Sequence, residues 1–424
     1  MNYLNQQFNS LLNYWPDEDK NIRSLRSNAF NQFNESGFPT KKWEEWQFTN
    51  FSKFKNNQFR LSSADDLPSI PKSIPGLIPN LDFIFIINGH YQSQLSSSPS
   101  GVRVSTHLED YNTDQNIYTL ESKQNPFQSL NVAMMNSGVS IHIDPNQIIE
   151  KPIQVIYLMT ELSEPLMNHP RFHYHLGENS QATIIEHYIG ISDQPYFVNS
   201  VSHATIGVNA SFNHIRIQEE TKSANHIAST HYQLDTDARL KSTHFSMGAE
   251  LFRHDIKLSF NGNGGEAMLN GLCLTENQQH HDQNVTVDHQ NDSCHSHQLF
   301  KYILGDKSSG VFNGKEIVRG KTKLTDADQS NKNLLLSPAA LMNANPQLEI
   351  YSEDVKCSHG STTGQIDPEA LFYMRSRGLS QQKATELIIG GFAKEILEPI
   401  LDENISKTMN QKIHQWLMGV QKDG

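Results

Sequence analysis

Apolar residues follow two different periods along the chain. Up to about Asn80 they recur every three or four positions. Phe8, Leu11 and Leu12 share one helical face, as do Ile22, Leu25, Ala29 and Phe33. The stretch SGFPTKKWEEWQF breaks that pattern at Gly37 and Pro39, and LPSIPKSIPGLIPN, from Leu67 to Asn80, reads as an extended linker. From LDFIFIINGHY onward the pattern is alternating. Runs such as GVSIHIDPNQ and SVSHATIGVNASFNHIRIQ are separated by short turns rich in Gly, Asn and Asp. No helix-length amphipathic stretch interrupts this β region.

A repeat runs through it. Ala182, Ala210, Ala238 and Ala267 stand 28, 28 and 29 residues apart. A turn former lies three positions before each (Asn179, Gly207, Asp235, Gly264), and Ile184, Phe212, Leu240 and Leu269 lie two positions after. A small inward residue at a corner, between a turn and an apolar strand position, is what a stacked coil requires. With no helices in the period, the pattern predicts a parallel β-helix.

The last region is helical again. Asp367 is an expected N-cap with Pro368 at the first helical position, Gly378 a stop, and Ser380 the next cap. Ala384, Leu387, Ile388, Phe392 and Ile396 make one apolar stripe; Ile405, Met409, Ile413, Trp416 and Leu417 make another. A small helical appendage after a self-contained solenoid has little core to cover, which favours a docking surface. The expected division is residues 1–80 (helical region and linker), 81–366 (β-helix) and 367–424 (helical).

Composition removes several classes. A net charge of −12 over 424 residues argues against a broad nucleic-acid surface. No window approaches the ~18 unbroken apolar residues of a membrane span, and the N-terminus lacks a signal-peptide pattern. Three cysteines, Cys273, Cys294 and Cys357, none in a CxxC pair, exclude a disulfide framework and a four-thiolate site. The expectation is a soluble cytoplasmic protein.

Two constellations carry candidate chemistry. QQHHDQNVTVDHQNDSCHSHQLFK holds His280, His281, His289, Cys294, His295 and His297, but it mixes strand and turn, so these side chains should point several ways. Cys357 and His359 lie two apart in EIYSEDVKCSHGSTTGQID and share a face of an extended strand, with Asp354 and Lys356 nearby. Thiolate and imidazole suit iron or an iron–sulfur fragment, yet two ligands leave a site unfinished, to be completed by another chain. A Cys–His catalytic dyad and a merely packed thiol are the alternatives. Walker A, HExxH and nucleophile-elbow motifs are absent, and GNGGEA has no following helix to make a phosphate cradle.

The last third reads as an extended signature: SCHSHQLFKYIL, then GVFNGKEIV, then KTKLTDADQSNKNLLLSPAALMNANPQLEIYSEDVKCSHGSTTGQIDPEALFYMRSRGL. With these residues the chain resembles the SufB/SufD family of the Suf iron–sulfur cluster assembly scaffold. GFPTKKWEEWQFTNF resembles the family's N-terminal GxPTxxxExWKYT motif, departing from it at WQFT. SufB-like chains carry EHEAS near the place of KCSHG, so the likeness is to the SufD branch. The resemblance implies a right-handed parallel β-helix between helical regions and a non-enzymatic scaffold. It implies a heterodimer with a SufB-type subunit through the terminal β-helix strands. It places a Suf ABC-type ATPase on the C-terminal helices, about Asp367 to Pro399. The family's interface histidine falls on His359, with Cys357 beside it, holding iron or a nascent cluster shared with the partner; no cofactor is expected to stay tightly bound to the isolated chain. The isolated chain could form a homodimer through the same strands. The rivals are a β-helical carbohydrate-active enzyme and a purely structural brace for the SufB-type subunit.

Overall fold

The computed structural model describes residues 2–15, 18–51, 57–67, 74–106 and 125–420. The expected architecture is present: a β-solenoid of about eight turns with helical regions at its N- and C-terminal sides. Each turn gives one strand to each of two sheets. The first sheet runs to the strand Leu341–Ile350 and the second to Val355–Gln365. Successive turns pair in parallel and in register, as in Tyr196 with Ala224, Ser211 with Arg239, and His280 with Ser309. At the opposite end the antiparallel strands His90–Tyr91 and Val102–Thr106 terminate the two sheets.

The repeat has the expected length, but its phase differs from the alanine column. Ala210 and Ala238 occupy equivalent corners, whereas Ala182 pairs with Phe212 and Ala267 with Leu240, two positions further along the strand. The corner column is Ser180, Ala210, Ala238, Gly265, Cys294 and Thr325, all buried. The residue before each is left-handed: Asn179, Asn209, Asp237, Gly264, Ser293 and Leu324 have φ of 55°, 55°, 57°, 71°, 58° and 56°. Asn, Asp and Gly tolerate that conformation best, which explains the turn composition. A corner thus needs one left-handed residue followed by one small buried side chain.

Apolar side chains such as Ile141, Tyr174, Ile184, Phe212 and Phe260 fill the space between the sheets. Buried polar groups share this interior. Glu186 accepts hydrogen bonds from Tyr174 (2.8 Å), Tyr188 (2.6 Å), Ser202 (2.8 Å) and Arg216 (3.1 Å). Burial alone would push the Glu186 carboxyl up, but His214 and Arg216 beside it hold it well below the usual carboxylate range.

Helices α1 (Asn2–Tyr14), α2 (Lys20–Ser36) and α3 (Pro126–Met134) cover the outer face of the first sheet. α3 corrects the expectation of an uninterrupted β region. All nine of its residues are buried, so it has no polar stripe; its sequence signal is the cap, where Asn125 accepts the Phe127 N–H at 3.0 Å ahead of Pro126. WEEWQFT clamps the N-terminal region: the Arg253 guanidinium sits 3.5 Å over the Trp46 ring, and Thr49 contacts Asp282 and His280. In the expected linker, residues 68–73 lie outside the described residues, while Ile78 is buried against the second sheet.

After the solenoid come α4 (Pro368–Ser376), α5 (Gln381–Leu397) and α6 (Glu403–Val420). Asp367 accepts the Glu369 N–H at 3.0 Å and Ser380 the Lys383 N–H at 3.2 Å, the two expected caps, and Gly378 has a φ of 94°. These helices have more core to cover than their length suggested. Ile389, Ala393, Ile396, Ile405, Met409 and Ile413 pack on Ile185, Ile215, Phe245, Leu272 and Leu299 of the second sheet. The buried stripe of α5 is rotated accordingly: Ile389 and Ala393 face inward and Leu387 faces solvent. No helix among the described residues is long and apolar enough to cross a membrane.

Candidate functional site

Each sheet ends without a further partner among the described residues. Leu341–Ile350 pairs only with Ser309–Val318, and Val355–Gln365 only with Thr325–Leu335. Every residue of these two final strands is exposed or half-exposed. A row of unpaired backbone N–H and C=O groups on such a strand is a template for another chain.

The pleat decides what this end presents. On the second sheet the inward column passes from Ala267 through Ser296 and Ala327 to Cys357, and a neighbouring column from Leu269 through Gln298 and Gln329 to His359. Cys357 and His359 therefore stand where the next layer of solenoid interior would be. On the first sheet Met342, Ala344, Pro346 and Leu348 continue the inward positions Gly310, Phe312, Gly314 and Glu316. The end displays an apolar row on one sheet and a thiol and imidazole on the other.

Cys357 is half-buried and His359 exposed. Burial pushes the Cys357 thiol up, and the nearby carboxylates of Glu316 and Asp326 add to that. A raised thiol lacks the activation a cysteine nucleophile needs, which counts against the dyad reading. Metal binding, by contrast, supplies its own charge to displace the proton. Lys356 points outward, 3.6 Å from Asp326, and Ser358 donates to Asp328 at 2.5 Å, so these neighbours belong to the outer face.

The histidine-rich segment disperses as its mixed pattern predicts. His280, His281 and His289 lie on a strand of the first sheet, His295 and His297 on one of the second. His281 is buried 3.3 Å from the Cys273 sulfur, His289 meets Ser296 at 2.9 Å, and His297 meets Asp328 at 3.0 Å. Cys294 is a corner residue, its sulfur directed at the Gly262 and Asp292 carbonyls. Among the described residues no three His, Cys, Asp or Glu side chains form a set that could hold a metal. Cys357 and His359 by themselves fall short of such a set.

Sequence reasoning missed the polar groups beneath the open end. Glu316 is wholly buried and accepts from the Gln298 side-chain amide, which is linked at 3.4 Å to Gln329. Their signal is a polar residue at an inward position of an otherwise alternating strand.

Two family descriptions match the chain: "SUF system FeS cluster assembly, SufBD core domain" over residues 157–392 and "SufBD protein N-terminal region" over residues 6–155. The chain is 31% identical over 386 residues to the iron-sulfur cluster assembly protein SufD of Escherichia coli, covering 91% of this chain and 90% of that one. It is 31% identical over 401 residues to an iron-sulfur cluster assembly SufBD family protein of Synechocystis, covering 90% and 88%. Identity to SufD of Bacillus subtilis is 23% over 411 residues, covering 92% of each.

Proposed function

The chain belongs to the SufBD family of the SUF iron–sulfur cluster assembly system, and from that we propose that it is a scaffold subunit, not an enzyme. Its open solenoid end pairs with the end of a SufB-type subunit. Across that seam His359 supplies a nitrogen ligand, and Cys357 a thiolate, to iron or a nascent cluster passing through as cargo. The observation that carries the reading is the continuation of the interior columns into an exposed, unpaired final rung at these two residues. A ligand pair open on one side is completed by donors from the facing chain.

The docking site for the Suf ABC-type ATPase is the C-terminal helical region, about Asp367 to Pro399. Phe372 (73% exposed) and Leu387 (46%) support this, together with a cavity of about 420 Å³ between α5 and α6 lined by Leu387, Gly390 and Gly391. α4 begins at Pro368, close after the end of the ligand-bearing strand at Gln365, so a push on α4 reaches the seam through a short link. Nucleotide-driven movement of the ATPase would open or close the seam in that way. Without the SufB-type partner, the same edge pairs two copies of this chain.

The test is anaerobic reconstitution of the complex with iron and sulfide. His359→Ala is expected to lose most cluster formation while still pairing with the SufB-type subunit; unchanged cluster yield would end the ligand assignment.

A further inference from the structure

We propose that Gln329 positions His359, accepting the ring N–H that faces away from the metal; this deepens the ligand reading of His359 and rests on it. Gln329 stands in the same inward column, paired in register with His359 on the adjacent strand. It is 1% exposed, and its Oε1 has no hydrogen-bond partner. A buried acceptor without a donor marks a contact the isolated chain leaves unmade.

The direction of the amide is fixed from the interior outward. Gln298 Nε2 donates to Glu316 Oε1. Whether Glu316 is ionised or carries a proton on Oε2, the oxygen 3.6 Å from His289, Oε1 is left as an acceptor. Gln298 must then turn its own Oε1 toward Gln329, whose Nε2 donates to it at 3.4 Å. That leaves Gln329 Oε1 as the acceptor end of the relay. Gly314, across the lumen, makes room for it: a Cβ there would collide with the Gln329 amide.

A metal-bound histidine gives its second ring N–H to an acceptor, and this bond sets the tautomer and aim of the ring. In-register strands lie ~4.8 Å apart, so a ring swung inward from His359 reaches the Gln329 amide. In the free chain the imidazole is exposed and no hydrogen bond joins the two residues. Seating the ring at the seam forms that bond.

The experiment is an anaerobic titration of the complete assembly with ferrous ion. Four forms of this chain are compared: Gln329→Leu, Gln329→Glu, His359→Ala and the Gln329→Leu/His359→Ala double variant. The expected result is ~10–100-fold weaker iron binding for Gln329→Leu, as for other lost outer partners of metal ligands. Gln329→Glu, which keeps an acceptor of the same length, recovers most of it. The double variant binds no more weakly than His359→Ala alone, because Gln329 acts only through the ring. Wild-type binding by Gln329→Leu, or a full additive loss in the double variant, overturns the proposal while leaving the ligand reading intact. Wild-type binding by His359→Ala overturns both. If Gln329→Leu does not pair with the SufB-type subunit, Gln329→Met takes its place under the same criteria.

Discussion

Glu219 lies on the outer face of the second sheet, where the His187 ring nitrogen approaches at 2.7 Å and the Lys412 ammonium of α6 makes a close ion pair. Burial alone would raise its carboxyl, but His187 and Lys412 bring it down to about 2 from the ordinary 4.5. A depressed acid stabilises the fold above its unfolded pKa, and the contribution disappears as pH falls from about 4.5 through 2. The whole shift corresponds to about 3 kcal/mol, an upper bound at neutral pH because the His187 share is present in full only while that ring is protonated. Urea unfolding should therefore find Glu219→Gln up to about 3 kcal/mol less stable than wild type at pH 7, with the gap closing near pH 2; a gap independent of pH would remove the ion pair as its cause. At the same scale, Cys357 and His359 were legible because a two-residue spacing fixes a shared face once a strand is assumed. Gln298, Gln329 and Glu316 were not, because a polar residue in an alternating run declares itself inward only after register is known.

Among elements, the corners were partly legible. Turn-forming residues and a period near 28 were visible, but any small residue near a turn can pass for the corner, and Ala182 and Ala267 did so from two positions away. Only the backbone separates them, through the left-handed residue before each true corner. Asn209 is such a residue, and its side chain also donates to Asn179 at 2.9 Å. Asn209→Val should cost about 1–2 kcal/mol in urea unfolding, whereas Asn209→Gly should stay within about 0.5 kcal/mol because glycine enters the left-handed region freely. Equal losses for the two would mean the side-chain ladder, not the backbone, holds the corner. α3 escaped notice for a different reason: a helix buried on every side shows no amphipathic period. α5 was found with its stripe turned, since the buried set was decided by the sheet beneath it rather than by its own apolar residues.

At the scale of the molecule, helices cover the outer faces of both sheets, antiparallel strands terminate one end, and at the other end both final strands are exposed and, among the described residues, paired on one side only. The C-terminal helices therefore do two things, sealing the second sheet and presenting Phe372 and Leu387 outward. Those roles separate by mutation. Phe372→Glu with Leu387→Glu should abolish capture by the ATPase in a pull-down while changing stability by less than about 1 kcal/mol, as exposed substitutions usually do. Cutting the chain before Asp367 should instead uncover Ile215, Phe245 and Leu272 and cause aggregation, so retained capture by the double variant is the outcome that would move the docking surface elsewhere.

The central claim, that the final rung is a seam closed by a second protein, can be read from one thiol. Cys273 and Cys294 are buried and Cys357 is not, so a maleimide applied to the dilute native chain should modify Cys357 alone. Adding the SufB-type subunit should then protect it. Labelling of Cys357 at the same rate in the assembled complex would contradict the account.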